Sequence, residues 1–209
     1  MDLPSVFSTT AKIMRWVVFV ICLLPLSLLV MGAINNSLGP DPADTLVTET
    51  GEWTFRFLLL SLAITPLRNI GGWPKLFPYR RTFGLFALFY ASLHFLCYLL
   101  FLLQLRWFEI SEDILERPYI TVGFAAFVML VVLGVTSSRA MVRRLGRRWK
   151  RLHQIVYAVN VLALIHLIWI LRTDLTEAVI YASILFPLLA YRAYRYFASK
   201  VLRHINLSM

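Results

Sequence analysis

Three of the four histidines lie inside long apolar stretches. His94 lies within residues 82–105, a run that contains no formal charge. His153 and His166 lie within a second such stretch, residues 152–171. A histidine in a bilayer-spanning segment is costly and is usually functional, and imidazole both ligates iron and carries protons. These positions therefore predict cofactor ligands or a proton path within a membrane protein.

The composition indicates a membrane protein rather than a water-soluble domain. Hydrophobic residues make up 59% of the chain, charged residues 15%, and the mean hydropathy is +0.72. Whole segments are apolar on every face, and only helices can satisfy their backbone polar groups in lipid. The two cysteines, Cys22 and Cys97, give neither a disulfide framework nor a zinc site. The predicted fold class is an all-α integral membrane protein.

Six stretches of roughly 20 apolar residues are candidate transmembrane spans. They are residues 16–34, 53–69, 82–105, 119–138, 152–171 and 175–195. We interpret the first as a retained anchor, because it is longer than the apolar part of a typical signal peptide. The second is bracketed by Arg56 and Arg68, and it crosses only if Arg56 reaches the interface or is paired. Pro187 predicts a kink in the sixth.

Charge placement predicts the orientation of these spans. With the N-terminus inside, the inner segments hold most of the Lys and Arg residues, and the outer loops hold nearly all of the acidic ones. This distribution follows the positive-inside rule and predicts a six-helix bundle with both termini cytoplasmic. The net charge of +10 includes a basic segment, RAMVRRLGRRWKR at 139–151, which suits anionic lipid headgroups. We expect no nucleic-acid partner; a soluble protein docking at this segment remains an alternative.

The predicted topology places two histidines at the same depth. His94 lies 13 or 14 residues after the inner end of its span, and His166 lies 13 residues after His153, so each is about 20 Å into its helix. Two imidazoles at equal depth on separate helices can hold one haem iron from both sides. His153 remains at the inner end, about 140° around the helix from His166, so a second haem stacked below the first is not required.

Other interpretations of the histidines remain open. A lone intramembrane histidine often only bonds a neighbouring helix. The three histidines could also form a protonatable chain in a small proton or ion transporter without haem, although the sequence shows no inverted repeat. A structural assembly factor is a third possibility. No Walker loop or G-x-G-x-x-G follows a strand, so the chain has no dinucleotide-binding domain of its own.

Several segments resemble a known family in the same order along the chain. They are TGEWTFRFLLLSLAITPLR, YRRTFGLFALFYASLH, RPYITVG and LGRRWKRLHQIVYAVNVLALIH. They are similar to the MsrQ family, the haem-binding membrane subunits of a methionine sulfoxide reductase system within the ferric-reductase-like transmembrane superfamily. The resemblance covers about residues 45–197, and it implies that residues 1–209 form one transmembrane haem-binding domain in a bacterial inner membrane.

The resemblance also implies a set of cofactor ligands. Haem b would be held by His94, His153 and His166, and a second haem is implied by relatives that carry two histidine pairs. Here Arg80 or Arg81 stands at the fourth ligand position, and guanidinium is a poor iron ligand. These arginines would instead neutralise haem propionates or a flavin phosphate. FMN is implied by the resemblance alone.

The function that the resemblance implies is electron transfer, with no catalytic residue in this chain. Electrons would come from the quinone pool or a cytoplasmic flavin reductase. They would leave to MsrP, a periplasmic molybdoenzyme that repairs oxidised envelope proteins. The acidic segments DPADTLVTETGE and EISEDILER are candidate docking loops for that partner.

Overall fold

The computed structural model describes residues 3–106, 108–171 and 174–207. Within them the chain is helical, as the sequence predicts, and no strand occurs. The α-helices are α1 (Leu3–Ile34), α2 (Pro42–Ile70), α3 (Tyr79–Cys97), α4 (Glu109–Glu116), α5 (Pro118–Val135), α6 (Arg139–Leu145), α7 (Arg147–Leu152), α8 (Ile155–Ile170) and α9 (Thr176–Leu207). A short 3₁₀ turn at Pro74–Leu76 precedes α3, and a π-helical turn at Tyr98–Leu102 follows it.

Four segments of the described chain are long and apolar enough to cross a bilayer. They are Lys12–Ile34, Pro74–Leu102, Pro118–Val135 and Arg147–Ile170. They correspond to the first, third, fourth and fifth predicted spans. The other two predicted spans, 53–69 and 175–195, lie within α2 and α9. They are helical, but α2 and α9 are not among the segments that are long and apolar enough to cross a bilayer. Four of the predicted spans are thus confirmed as candidate spans, and the total of six spans remains a prediction.

Several helix boundaries differ from those expected. The outer loop predicted at 35–52 is helical from Pro42 on, because the Asp41 carboxylate accepts a hydrogen bond from the Asp44 amide (3.0 Å) and proline suits the first helical position. The third span ends before its predicted end at 105. Its last turn widens at Tyr98–Leu102, and Gln104 and Leu105 have positive φ of 51° and 58°.

The described helices divide into two compact units. The first contains the chain up to Ser61 together with Pro78–Ile110, and the second contains Leu62–Phe77 together with the chain from Ser111 on. The prediction of one domain over 1–209 stays a prediction. Both cysteines are free: Cys22 is buried in the first unit and Cys97 is half-buried there.

In the first unit, α1 and α3 are joined by a tyrosine hydroxyl. The Tyr90 hydroxyl donates to the Cys22 carbonyl (3.0 Å) and accepts from the Leu26 amide (3.0 Å). An unbroken α-helix would join that amide to that carbonyl directly. Pro25 lacks the amide hydrogen and crowds the preceding turn, and the Tyr90 hydroxyl bonds to the two backbone groups beside it. The ring itself is fully buried and packs on Phe57.

Arg56, one of the two arginines in the second predicted span, is paired inside the same unit. Its guanidinium forms an ion pair with Glu52, one helical turn earlier, and lies 3.7 Å from a carboxylate oxygen of Glu49. It also lies over the Trp53 ring, 4.7 Å from its centroid. Pairing thus offsets the cost of an arginine at this position. Pairing of Arg56 is one of the two conditions under which residues 53–69 could cross the membrane.

In the second unit, α5 packs along α8, and α8 contacts α9. Arg192 of α9 donates to the Tyr157 hydroxyl of α8 (2.8 Å) and to the Leu62 carbonyl of α2 (2.9 Å). Asn160 of α8 is fully buried and donates to the Val156 carbonyl of its own helix (2.8 Å). The two Arg192 bonds connect α9 with α8 and α2 through polar groups.

The basic segment 139–151 forms α6 and α7. The Ser138 hydroxyl caps α6 by accepting from the Met141 amide (3.2 Å), and Gly146, with a φ of 51°, separates the two helices. Its arginine and lysine side chains are all exposed. The segment therefore presents a cationic surface.

Candidate functional site

His94 lies near the end of α3 and bonds to the backbone of α2. Its Nδ1 is 2.8 Å from the carbonyl oxygen of Val47. A carbonyl oxygen only accepts, so Nδ1 carries the hydrogen and donates it. In the neutral imidazole the lone pair then belongs to Nε2. The backbone of α2 thus selects the tautomer of His94.

The ring of His94 lies against Gly51 of α2. A Cβ atom built on Gly51 would come within 3.0 Å of both Cε1 and Nδ1 of His94, closer than a carbon normally approaches. The absence of a side chain at this position therefore provides the space that the imidazole occupies.

His166, near the end of α8, has the same environment in the second unit. Its Nδ1 is 2.7 Å from the carbonyl oxygen of Tyr119 in α5. A Cβ atom at Gly123 would lie 2.6 Å from Cε1 and 2.7 Å from Nδ1 of His166, which is not tolerated without movement. The carbonyl again fixes Nδ1 as the donor and leaves the lone pair on Nε2.

The two environments have identical spacing. In both, the acceptor carbonyl precedes the histidine by 47 residues. The glycine follows the acceptor by four residues in both, so each residue of the Val47, Gly51, His94 set lies 72 positions before its counterpart in Tyr119, Gly123, His166. Sequence analysis found the histidines but missed these partners. The signal was present: aligning the chain with itself at that offset pairs a glycine with a glycine and a histidine with a histidine.

His153 has different surroundings. It is the C-terminal cap of α7, before α8 begins at Ile155, and lies within the candidate span Arg147–Ile170. Its Nε2 is 3.2 Å from the hydroxyl of buried Thr136, and its ring stacks on Trp149 with centroids 4.0 Å apart. The Trp149 indole donates to the Thr136 carbonyl (2.9 Å), which holds the three residues together.

The Thr136 hydroxyl indicates which nitrogen of His153 carries the hydrogen. That hydroxyl has one hydrogen, and the Val132 carbonyl, at 2.7 Å, is a closer acceptor than His153 Nε2. With its hydrogen directed to Val132, the Thr136 oxygen accepts from His153 Nε2. In this arrangement His153 has the tautomer opposite to that of His94 and His166.

Arg80 and Arg81 lie in the first turn of α3. Arg80 is half-buried, and its carbonyl accepts from the Ser61 hydroxyl of α2 (3.1 Å), whereas Arg81 is exposed.

In the described part of the chain, no group of three or more His, Cys, Asp or Glu side chains could hold a metal ion. His94 lies in the first unit, while His153 and His166 lie in the second.

Comparison with known proteins agrees with the membrane helices. Residues 50–164, more than half of the chain, match the family model described as ferric reductase like transmembrane component. The matched region contains α3, α5 and most of α2 and α8, and includes His94, His153 and both of the glycines described above, while His166 lies two residues beyond it.

Curated relatives are similar over most of the chain. A protein of Xanthomonas oryzae pv. oryzae, named protein-methionine-sulfoxide reductase heme-binding subunit MsrQ, is 42% identical over 194 residues, 90% of this chain and 89% of the relative. Proteins of the same name from Xanthomonas euvesicatoria pv. vesicatoria and Polaromonas naphthalenivorans are 45% and 42% identical, over 77% and 87% of this chain and 74% and 84% of their own. The chain therefore belongs to the ferric-reductase-like transmembrane family and, within it, to the MsrQ family.

Proposed function

We propose that this protein is a membrane electron-transfer subunit that holds b-type haem through His94 and His166. The observation that carries the proposal is that these two imidazoles have the same tautomer. In each, Nδ1 donates to a backbone carbonyl and Nε2 has the lone pair, which is the form in which histidine ligates iron. The name of the MsrQ relatives, heme-binding subunit, supports the same cofactor.

The two histidines would bind the iron on opposite sides. Support comes from the sequence, which places His94 and His166 at equal depths of about 20 Å in their spans. Haem held by His94 and His166 would supply reversible one-electron transfer. The residues of this chain would hold the group and exclude water from it, so none of them is assigned a catalytic role.

His153 is the proposed ligand of a second haem. It lies at the inner end of the fifth span, and Arg80 or Arg81 would stand opposite it where relatives carry a histidine. The proposal requires the His153 ring to leave Thr136 or to bind through Nδ1, because Nε2 contacts the Thr136 hydroxyl. The guanidinium groups would neutralise propionates or the phosphate of FMN.

We further propose six spans with both termini in the cytoplasm, within the inner membrane of a bacterium. The exposed basic side chains of α6 and α7 support this orientation, since such residues collect on the cytoplasmic side. Paired Arg56 supports a crossing by residues 53–69. The whole chain would then act as one transmembrane domain.

The proposed electron route is the one that the resemblance to the MsrQ family implies. Quinol or a cytoplasmic flavin reductase would supply electrons on the inner side or within the membrane. The acceptor would be the periplasmic molybdoenzyme MsrP, which returns methionine sulfoxide to methionine. The relatives' name, which refers to protein methionine sulfoxide reduction, supports this assignment. Acidic α4 and the start of α2 are the proposed docking surfaces.

Absorption spectroscopy of the purified protein tests the proposal. In detergent, the dithionite-reduced protein should show the α-band of b-type haem. His94→Ala and His166→Ala should each remove most of the bound haem, whereas His204→Ala, in the basic C-terminal part of α9, should leave it unchanged. A wild-type protein without the band would overturn the proposal in favour of a histidine-lined transporter. Haem retained in both variants would refute the assigned ligands.

A further inference from the structure

The two histidines depend on a shared backbone arrangement. In an α-helix, the carbonyl of residue i accepts from the amide of residue i+4, and the side chain of i+4 lies close to that carbonyl on the helix surface. The residue four positions after Val47 is Gly51, and the residue four positions after Tyr119 is Gly123. In both helices, therefore, the residue whose side chain would cover the acceptor carbonyl has no side chain.

The uncovered carbonyl can accept a second hydrogen bond, since its oxygen has two lone pairs. His94 and His166 use this capacity with short bonds of 2.8 and 2.7 Å. Each ring also rests on the glycine itself, in the volume that a Cβ would fill. One contact selects the tautomer and the other limits the rotation of the ring.

We infer that Gly51 and Gly123, with the carbonyls of Val47 and Tyr119, are positioning residues that fix the tautomer and the ring plane of the two iron-binding histidines. The inference rests on the proposed haem ligation by His94 and His166, and it adds the elements that orient them. The glycine, the histidine and the acceptor carbonyl recur at an offset of 72 residues. The same arrangement is therefore built once from α2 and α3 and once from α5 and α8.

The arrangement has a chemical consequence for the ligand as well as a geometric one. A hydrogen bond from Nδ1 to a carbonyl increases the electron density at Nε2 and so stabilises the oxidised metal. Loss of that bond should raise the reduction potential of the haem. A glycine that served only helix packing would affect folding but would not change the potential in a haem that remained bound.

Glycine-to-alanine variants test this inference. Gly123→Ala places a Cβ at 2.6 Å from the His166 ring and should weaken haem binding about 10-fold or more. Gly51→Ala, with its nearest contact at 3.0 Å, should have a smaller effect in the same direction. The matched control is Gly84→Ala in α3, where the nearest atom is the Ser61 hydroxyl oxygen at 3.7 Å. That variant should bind haem as the wild type does.

Three measurements are needed on each variant: haem per protein, the reduction potential by optical titration, and the EPR spectrum of the oxidised haem. The EPR g-values of a low-spin haem depend on the angle between its two imidazole planes. We expect haem retained by Gly51→Ala and Gly123→Ala to have shifted g-values and a higher potential. If both variants match Gly84→Ala in all three measurements while His94→Ala and His166→Ala lose haem, the inference is wrong and the proposed ligands stand.

Pulsed EPR on the unmodified protein provides an independent test, in case an alanine variant does not accumulate. The remote nitrogen of both axial imidazoles should carry an exchangeable proton held in a hydrogen bond. A remote nitrogen without such a proton, on either ligand, would overturn the inference without any substitution.

Discussion

The hydroxyl oxygen of Tyr90 lies 3.0 Å from the amide nitrogen of Leu26, within the hydrogen-bond ladder of a different helix. The same hydroxyl donates to the Cys22 carbonyl, so one side chain bonds to both backbone groups beside Pro25. The contact fixes the position of α3 along the axis of α1. It therefore also fixes the position of each α3 residue within the first unit.

Tyr90→Phe should destabilise the protein without changing its cofactor ligands. The substitution keeps the buried ring but removes the hydroxyl that bonds to the Leu26 amide and the Cys22 carbonyl, at a cost of about 1–3 kcal/mol. Thermal unfolding in detergent, followed by circular dichroism, should show a lower midpoint. Tyr194→Phe, at a position that is 70% exposed, is the control and should unfold like the wild type. Equal midpoints for the two variants would contradict the role given to the Tyr90 hydroxyl.

Glu52→Gln should cost more stability than Glu49→Gln. The Glu52 side chain is 9% exposed and pairs directly with Arg56, whereas the Glu49 side chain is 40% exposed and lies 3.7 Å from it. Removing the buried charge takes away the ion pair between Glu52 and Arg56, for which we expect about 1–2 kcal/mol because the arginine is partly solvated. Removing the exposed charge should change the free energy of unfolding by less than about 1 kcal/mol. Chemical unfolding of the two variants side by side provides the comparison.

His153→Ala should lower the haem-to-protein ratio without abolishing haem binding, because His94 and His166 would still hold one group. Thr136→Val is its matched control. It removes the hydroxyl that contacts His153 Nε2 but keeps the imidazole and the shape of the site, so haem content should not fall. Haem quantification of the three proteins decides the matter, and a ratio unaffected by His153→Ala would remove this residue from the ligand set.

Cysteine labelling in cells should give opposite sides for α4 and α6. After Cys22 and Cys97 are replaced by alanine, a cysteine at exposed Glu112 should react with a membrane-impermeant maleimide added outside. A cysteine at exposed Arg144 should react only once the membrane is permeabilised. Labelling of both positions from the same side would refute an odd number of crossings between them and with it the six-span topology.

Long apolar runs and the histidines within them could be predicted from the sequence because each depends on local composition. The helical start at Pro42 could not be predicted from hydropathy, since the Asp41 cap outweighs the polar character of residues 42–52. The partners of His94 and His166 were missed for a different reason. Their hydrogen bonds end on backbone carbonyls, which any residue supplies, so neither Val47 nor Tyr119 carries a recognisable side-chain signal. Only Gly51 and Gly123 carry such a signal, because they recur at the same spacing from the two histidines.

The π-helical turn at Tyr98–Leu102 bears on how this chain could tolerate changes in length. The Leu103 amide bonds to the Tyr98 carbonyl five residues back (2.9 Å), so this turn holds one residue more than an α-helical turn. An insertion in a regular helix rotates everything beyond it by about 100°. Here the extra residue is accommodated after His94, so the distal end of the helix could lengthen or shorten during evolution while the imidazole keeps its direction.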